Sequence, residues 1–298
     1  MNDRYAVTID GVTKRYGSFK ALDNMSVRLE PGRIYGLLGR NGAGKTTLLN
    51  ILTGRIFASA GRAYVFGKPA YENVDILKQI CFIEEKGFYA STITVSQVLR
   101  LASGLYPDWD REYAESLVSL FELNTRKKYK QLSRGMESSL GLIIGLASRA
   151  QMTIFDEPSL GLDAVIRERF YDAVIEDIAE HPRTMIISTH LIDEVSRLFE
   201  DVIIIDGGRM LLQSNCVELK EKAYYLSGKA EDVRAVARDA LTMHEENLGN
   251  TLILSVFSQK GIGRAANVDV QPMPLQKLFV RLIDPQTQET LKKGGVLQ

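Results

Sequence analysis

The stretch Gly39-Arg40-Asn41-Gly42-Ala43-Gly44-Lys45-Thr46 decides the fold that this sequence of 298 residues predicts. It fits the pattern GxxxxGK[ST], it follows an apolar run at 34–38, and a helix is expected to begin at Lys45. In such a strand–loop–helix unit, backbone N–H groups and the helix N-terminus face the phosphates of a bound nucleotide. The predicted phosphate-binding residues are Gly39, Arg40, Asn41, Gly42, Ala43, Gly44, Lys45, Thr46 and Thr47.

Three side chains of this loop have predicted roles toward ATP. Lys45 is expected to bridge the β- and γ-phosphates, the Thr46 hydroxyl to ligate Mg²⁺, and Thr47 to hydrogen-bond the α-phosphate. The alternative is a glycine-rich helix start without a ligand. The strand before the loop and the helix after it favour the phosphate site over that alternative.

A pair of acids follows a second apolar run. The run at 152–155 ends in Asp156 and Glu157, an arrangement that delivers a carboxylate to Mg²⁺ beside a phosphate-binding loop. Asp156 is therefore predicted to hold the metal. Glu157 lies one residue further, where it could act as general base toward the attacking water. An ordinary strand end is the alternative, and the upstream loop favours the catalytic interpretation.

The pattern of apolar runs predicts a parallel core sheet. Runs at 152–155, 184–188 and 202–205 are expected to be buried strands. Residues 94–123 have helical spacing with a break near Pro107. After Lys222 the pattern predicts a small α+β region, with a helix at 230–241, an alternating run at 251–257 and further runs at 224–226 and 275–283.

Composition excludes some functions. The formal net charge is +0, so a nucleic-acid partner bound through clustered positive charge is not expected. The longest apolar runs fall short of the roughly 20 residues that span a bilayer, so membrane contact would require a partner. Cys81 and Cys216 lack the CxxC spacing of metal or redox sites. These features, and a start without a signal-peptide pattern, predict a cytoplasmic location.

Further motifs follow in order: Leu132-Ser133-Arg134-Gly135-Met136, then 159–163, then His190 after a predicted strand. This ordered set resembles the ABC transporter ATPases over roughly residues 6–212. The resemblance implies an α/β fold, a P-loop NTPase of the ABC ATPase type with a helical subdomain and a small C-terminal α+β appendage. We expect the nucleotide-binding domain at 1–222, with the helical subdomain at about 88–150, and the appendage at 223–298.

The same resemblance assigns roles to residues outside the loop. In the family, two nucleotide-binding domains close head to tail, so Ser133 and Gly135 would contact the γ-phosphate held by the partner domain. A helix N-cap at Ser133 is the alternative for this segment, and both roles are compatible. Asp163 would communicate across that interface, and His190 would hydrogen-bond the γ-phosphate in its own domain. Tyr16 resembles the aromatic residue that stacks on adenine, with a turn aromatic packed on the sheet as the alternative.

Two departures from the family pattern stand out. In the signature segment, Arg134 replaces the first glycine of LSGGQ and Met136 replaces the glutamine. Glu85 takes the place of the glutamine that ligates Mg²⁺, with Glu84 as the other candidate for this position. Two acids in a solvated loop, without a metal, are the alternative. The predicted metal ligands are therefore Thr46, Glu85 and Asp156.

The resemblance implies the ATP-hydrolysing subunit of a membrane transporter. Its partners would be integral membrane permease subunits and a second nucleotide-binding domain, in a homodimer or a heterodimer. It would lie on the inner face of the cell membrane, held there by the permease. The signature segment and the C-terminal region favour an exporter of drugs or peptides over an importer. Alternatives are a soluble ABC ATPase acting on ribosomes or DNA, and a regulatory module that binds ATP without hydrolysis.

Overall fold

A computed structural model describes residues 4–84, 91–263, 265–293 and 295, except for the side chain of Glu194. The chain divides into two compact units. The first contains residues up to 190 and 207–209, and the second contains 191–206 and the residues from 210 onward. The predicted domain boundary at 222 lies further along the chain than the end of the first unit, and the predicted domain limits stay a prediction.

An antiparallel sheet opens the first unit. It contains β1 (Val7–Tyr16), β2 (Phe19–Leu29), β4 (Ala60–Val65) and β5 (Lys68–Pro69), in the order β2-β1-β4-β5. Strands β1 and β2 pair along a long hairpin that the sequence did not predict. Tyr16 pairs with Phe19 at the hairpin tip. The tip therefore carries two aromatic side chains close together.

The core of the first unit is a parallel sheet, as predicted. Its strands β3 (Ile34–Gly39), β6 (Ile80–Ile83), β7 (Met152–Asp156) and β8 (Thr184–Thr189) lie in the order β3-β8-β7-β6. Every residue of β3, β7 and β8 is buried. Because the carboxyl ends of parallel strands share one edge of a sheet, Gly39, Asp156 and Thr189 come together there.

Helices join and cover these strands. The predicted helical region at 94–123 contains two helices with a break at the predicted place. A capping box between Thr94 and Gln97 begins the first, and the Asp110 side chain caps the second. The helices of the first unit are α1 (Lys45–Leu52), α2 (Val74–Leu77), α3 (Val95–Leu105), α4 (Arg111–Leu120), α5 (Arg134–Ala147) and α6 (Ala164–Glu180), with a 3-10 turn at Tyr129–Gln131.

Helix α5 packs closely on the parallel sheet. A Cβ added to Gly145 would lie 2.4 Å from the ring of Phe155 in β7, so only glycine permits this approach. Beyond α5, Arg149 forms ion pairs with Asp110 at 2.9 Å and with Asp177 of α6. Asp177 is buried and also pairs with Arg183. Since removal of one member would leave a buried charge uncompensated, this network ties α4, α5 and α6 together.

The second unit is mixed α and β. Four of its strands form an antiparallel sheet in the order β12 (Leu241–Leu248), β13 (Thr251–Phe257), β11 (Ala223–Gly228) and β14 (Val268–Pro272). Helix α9 (Ala230–Val236) packs on the apolar residues of this sheet. The elements are α7 (Ile192–Val195), β9 (Asp201–Asp206), β10 (Arg209–Asn215), α8 (Cys216–Lys220), β11 (Ala223–Gly228), α9 (Ala230–Val236), β12 (Leu241–Leu248), β13 (Thr251–Phe257), β14 (Val268–Pro272), α10 (Leu275–Leu282) and α11 (Pro285–Lys293).

One boundary in this unit differs from the prediction. The expected helix at 230–241 ends at Val236, and Leu241 begins β12 opposite Phe257 of β13. The helical spacing of apolar residues continues past Val236, but pairing with β13 satisfies the backbone groups of β12.

Both cysteines are buried and free. Burial raises the pKa of Cys81 to about 11. Among the described residues, none of the helices has the length and apolarity needed to cross a membrane.

Candidate nucleotide site

The loop after β3 forms a cradle of backbone groups. Gly42 has φ +80° and Gly44 has φ +106°, conformations that favour glycine. A Cβ on Gly44 would lie 2.6 Å from the carbonyl oxygen of Ala21 in β2, so the loop and this strand approach closely. Helix α1 begins at Lys45 directly after Gly44, and its first N–H groups are directed toward the cradle.

Lys45 lies almost buried at the start of α1. Its ammonium donates hydrogen bonds to the carbonyl oxygens of Gly39 at 2.7 Å and Arg40 at 3.4 Å. Burial lowers the pKa of Lys45, while the carboxylates of Glu157 and Asp156 oppose that shift. These contacts hold a positive charge against the loop, as binding of phosphate groups requires.

Thr46 and Asp156 present oxygen atoms at one point. The Thr46 hydroxyl donates to the Asp156 carboxylate at 3.1 Å, and Asp156 is buried at the end of β7. Burial raises the pKa of Asp156, and the Thr46 hydroxyl partly opposes this shift. A buried carboxylate beside a hydroxyl fits Mg²⁺, which takes few protein ligands when phosphates and water complete its coordination. Within the described ranges, no cluster of three or more His, Cys, Asp or Glu offers an alternative metal site.

Glu157 is held by three contacts beyond the end of β7. Its backbone has φ +54°, an uncommon conformation for a residue with a side chain, and its N–H donates to the Ser188 carbonyl at 2.8 Å. The Thr189 hydroxyl donates to one carboxylate oxygen at 3.4 Å. His190 Nδ1 lies 2.9 Å from the other oxygen. The carboxylate is therefore fixed beside Asp156 and Lys45 by residues at the end of β8.

The two ends of one cavity differ in chemistry. The cavity measures about 290 Å³. We call the part lined by the loop and the two acids the phosphate end, and the part lined by Tyr16 and Phe19 the base end, after the predicted roles of these residues. Its lining residues are Tyr16, Phe19, Ala21, Arg40, Asn41, Gly42, Ala43, Gly44, Lys45, Thr46, Thr47, Asp156 and Glu157. Gly39 contributes the carbonyl that accepts from Lys45.

Some predicted site residues lie elsewhere. Ser133 and Asp163 are not among the cavity's lining residues; their side chains cap α5 and α6. Gly135 packs against the Gly161 carbonyl, which an added Cβ would approach to 2.5 Å. Because their predicted ligand is held by a second domain, these roles stay predictions.

Glu85 lies outside the described residues, so its predicted metal role also stays a prediction. Glu84, the other candidate for that position, forms an ion pair with Arg55 and does not line the cavity.

Phe19 was missed by sequence reasoning. Phe19 lines the cavity but belongs to no recognisable sequence motif. It reaches the cavity because it pairs with Tyr16 across the hairpin. Thr189 was also missed, although it directly precedes His190. A strand ending next to a predicted catalytic histidine could have indicated that Thr189 also reaches Glu157.

A phosphate-binding loop after one strand of a parallel sheet, with a carboxylate pair after another, defines a P-loop nucleoside triphosphatase. The family model for ABC transporter matches residues 22–160, which include the loop, the signature segment and both acids.

Similar proteins extend this match over most of the chain. The bacitracin transport ATP-binding protein BcrA of Bacillus licheniformis is 30% identical over 90% of this chain and 87% of its own length. The daunorubicin resistance ATP-binding protein DrrA3 of Streptomyces coeruleorubidus is 32% identical over 72% of this chain and 70% of its own length. The chain therefore belongs to the ABC transporter ATP-binding proteins, and it is an ATP-binding, ATP-hydrolysing transporter subunit.

Solved structures share the fold. An ATP-binding subunit of an ABC transporter matches with a TM-score of 0.66 at 22% identity, over 72% of this chain and 92% of its own. The ATP-binding cassette MJ0796, a dimer bound to ADP and phosphate, matches with a TM-score of 0.63 at 23% identity, over 70% and 98%.

Proposed function

We propose that this chain binds Mg²⁺ and ATP in the cavity beside Lys45 and hydrolyses ATP with Glu157 as general base. The observation that carries this proposal is the placement of Glu157, whose carboxylate is held by Thr189 and His190 next to the phosphate cradle. A carboxylate oriented by fixed neighbours is the arrangement that general-base catalysis needs.

The other residues of the cavity have complementary roles. Lys45 and the loop N–H groups bind the β- and γ-phosphates, Thr47 contacts the α-phosphate, and Tyr16 stacks on adenine. Thr46 and Asp156 would hold Mg²⁺, with Glu85 as a further ligand. When bound, Mg²⁺ neutralises negative charge on the phosphates.

The hydrolytic step follows from these positions. The oxygen of a water molecule forms a bond to the γ-phosphorus while Glu157 accepts its proton, and His190 donates a hydrogen bond to a γ-phosphate oxygen. The bond between the γ-phosphorus and the bridging oxygen breaks, and its electron pair leaves with ADP. Positioning and electrostatics supply most of the rate enhancement in such phosphoryl transfers.

We further propose that two such domains close around ATP, each capping the other's nucleotide through Ser133 and Gly135, with Asp163 at their interface. The partner domain is either a second copy or a related chain. Closure would act on integral membrane permease subunits, which would hold this chain at the inner face of the membrane.

Export is the proposed direction of transport. Two relatives support it by their names, one for bacitracin transport and the other for daunorubicin resistance. BcrA also aligns over 90% of this chain, so its similarity extends into the C-terminal region. The transported compound would accordingly be a drug or a peptide.

The variant Glu157→Gln tests the catalytic assignment. It removes the base but keeps the size and hydrogen bonding of the side chain, so steady-state hydrolysis should fall at least about 100-fold. ATP should still bind, and size-exclusion chromatography with ATP should show a stable dimer. Glu180→Gln, which alters an exposed carboxylate at the end of α6, should retain wild-type activity. Undiminished hydrolysis in Glu157→Gln would remove Glu157 from the base role.

The proposed partner is tested by purification from detergent-solubilised membranes. The tagged chain should be recovered with a protein that spans the membrane several times. Recovery with ribosomes or DNA instead would contradict the transporter assignment.

A further inference from the structure

Lys14 is a nearly buried lysine that the proposed mechanism does not use. Its exposed fraction is 7%, and it lies on β1 two residues before Tyr16. Among the described residues, no carboxylate lies within ion-pair distance of its ammonium. A buried charge without a counter-ion is costly unless other groups compensate for the lost hydration.

Compensation for this charge comes from a carbonyl and two aromatic rings. The Lys14 ammonium donates to the Phe57 carbonyl at 2.8 Å and lies 4.4 Å from the centroid of the Phe57 ring. It also lies over the Tyr16 ring, 5.2 Å from the centroid. Both ring distances are within the range of cation–π attraction. Lys14 therefore contacts the aromatic residue at the base end of the cavity directly.

Backbone contacts fix the ammonium in this place. The segment at 53–59, which follows α1, is bound to β1 by two hydrogen bonds. The Arg15 N–H donates to the Ser59 hydroxyl at 3.0 Å, and the Ser59 N–H donates to the Thr13 carbonyl at 2.7 Å. The segment at 53–59 includes Phe57, whose carbonyl oxygen accepts the hydrogen bond from Lys14. The residues on either side of Lys14 in β1, Thr13 and Arg15, therefore both hydrogen-bond to the segment that contains the acceptor for the Lys14 ammonium.

We propose that Lys14 is a positioning residue for the nucleotide base, which it serves by holding the Tyr16 ring in the orientation that stacks. The Tyr16 side chain is half exposed, so without a contact on one face its ring would lose rotational freedom on binding. The Lys14 ammonium restricts that freedom in advance. The inference rests on the proposed role of Tyr16 as the surface on which adenine stacks.

Binding of two probes separates this role from general support of the fold. ATP contains the base, whereas inorganic tripolyphosphate engages only the phosphate end. Lys14→Met should raise the Kd for ATP about three- to tenfold and leave the Kd for tripolyphosphate unchanged. Lys20→Met is the matched control, because Lys20 lies in the same hairpin but pairs with Asp23. It should change neither constant.

A second variant keeps the test valid if Lys14→Met does not fold. Lys14→Gln retains a donor for the Phe57 carbonyl but removes the charge, so it should show the same selective loss of ATP affinity. Lys14→Arg retains a cation and should restore most of the affinity. An equal loss for both probes, or no loss for ATP, would overturn the proposal.

A double-mutant cycle distinguishes this inference from the function on which it rests. Tyr16→Ala alone should weaken ATP binding but not tripolyphosphate binding; if it does not, the stacking role assigned to Tyr16 fails. If Tyr16→Ala has this effect and Lys14→Met does not, only the inference about Lys14 fails. In the Tyr16→Ala background, Lys14→Met should add little further loss. A full additional loss there would show that Lys14 acts independently of the ring, and would overturn the proposal.

Discussion

The two ends of the nucleotide cavity are built on opposite principles. At the phosphate end, Lys45 is 6% exposed and Asp156 is 7% exposed, and backbone groups complete the cradle. At the base end, Tyr16 is 51% exposed and Phe19 is 62% exposed, and both are contributed by a hairpin tip. Charges act strongly where water is excluded, whereas stacking on an open ring contributes a modest and adaptable affinity. The rate of hydrolysis should therefore depend on the phosphate end, and the affinity for the nucleotide base on the base end.

The largest effect is expected from Lys45→Met. This variant removes the buried positive charge but keeps the apolar stem, so hydrolysis should fall about 100- to 1000-fold as stabilisation of the developing phosphate charge is lost. Steady-state release of phosphate measures the rate. Lys78→Met removes an exposed lysine after α2 and should have wild-type activity. Near-normal hydrolysis in Lys45→Met would contradict the conclusion that hydrolysis depends on the buried charges of the phosphate end.

A smaller effect is expected from Thr46→Val. The change removes the hydroxyl that contacts Asp156 at nearly constant volume, so hydrolysis should fall about 10- to 100-fold and half-maximal activity should require more Mg²⁺. A titration of activity against Mg²⁺ concentration measures both changes. Thr46→Ser retains the hydroxyl and should retain most activity. If Thr46→Val changes ATP binding equally with Mg²⁺ and with a chelator, Thr46 has no role toward the metal.

The smallest effect is expected at the base end, from Phe19→Ala. Loss of this exposed ring should weaken ATP binding about two- to fivefold and leave tripolyphosphate binding unchanged, because Phe19 lies away from the cradle. Calorimetry with both ligands measures the difference. Phe19→Tyr keeps an aromatic ring and should bind ATP normally. A reduction of the hydrolysis rate at saturating ATP would instead show that the base end contributes to chemistry.

The same contrast explains which parts of the site the sequence predicted. The phosphate-binding loop is eight consecutive residues, and the two acids directly follow an apolar run. Local sequence patterns were therefore sufficient to predict the phosphate end of the site. The confirmed strands of the parallel sheet are likewise buried apolar runs. Tyr16 was predicted only through the family resemblance, whereas residues 39–47 were predicted from the motif itself.

Residues brought in by long-range pairing escaped prediction. Phe19 lines the cavity because of its pairing in the hairpin. Lys14 contacts Phe57, which lies 43 residues further along the sequence. The helix expected to reach Leu241 stops at Val236 because β12 pairs with β13, a contact that helical spacing cannot reveal. Local patterns therefore predict the elements, but the contacts between distant segments depend on the complete fold.

The close approach of Gly44 to Ala21 has a consequence that reaches beyond the loop. Ala21 belongs to β2, which also carries Phe19, so this contact joins the phosphate-binding loop to the strand that contributes an aromatic residue of the cavity. Any side chain at position 44 would collide with the Ala21 carbonyl and require the loop or the strand to shift. Because Ala21 lies two residues from Phe19 on the same strand, a side chain at position 44 should disturb binding of the base as well as binding of the phosphates.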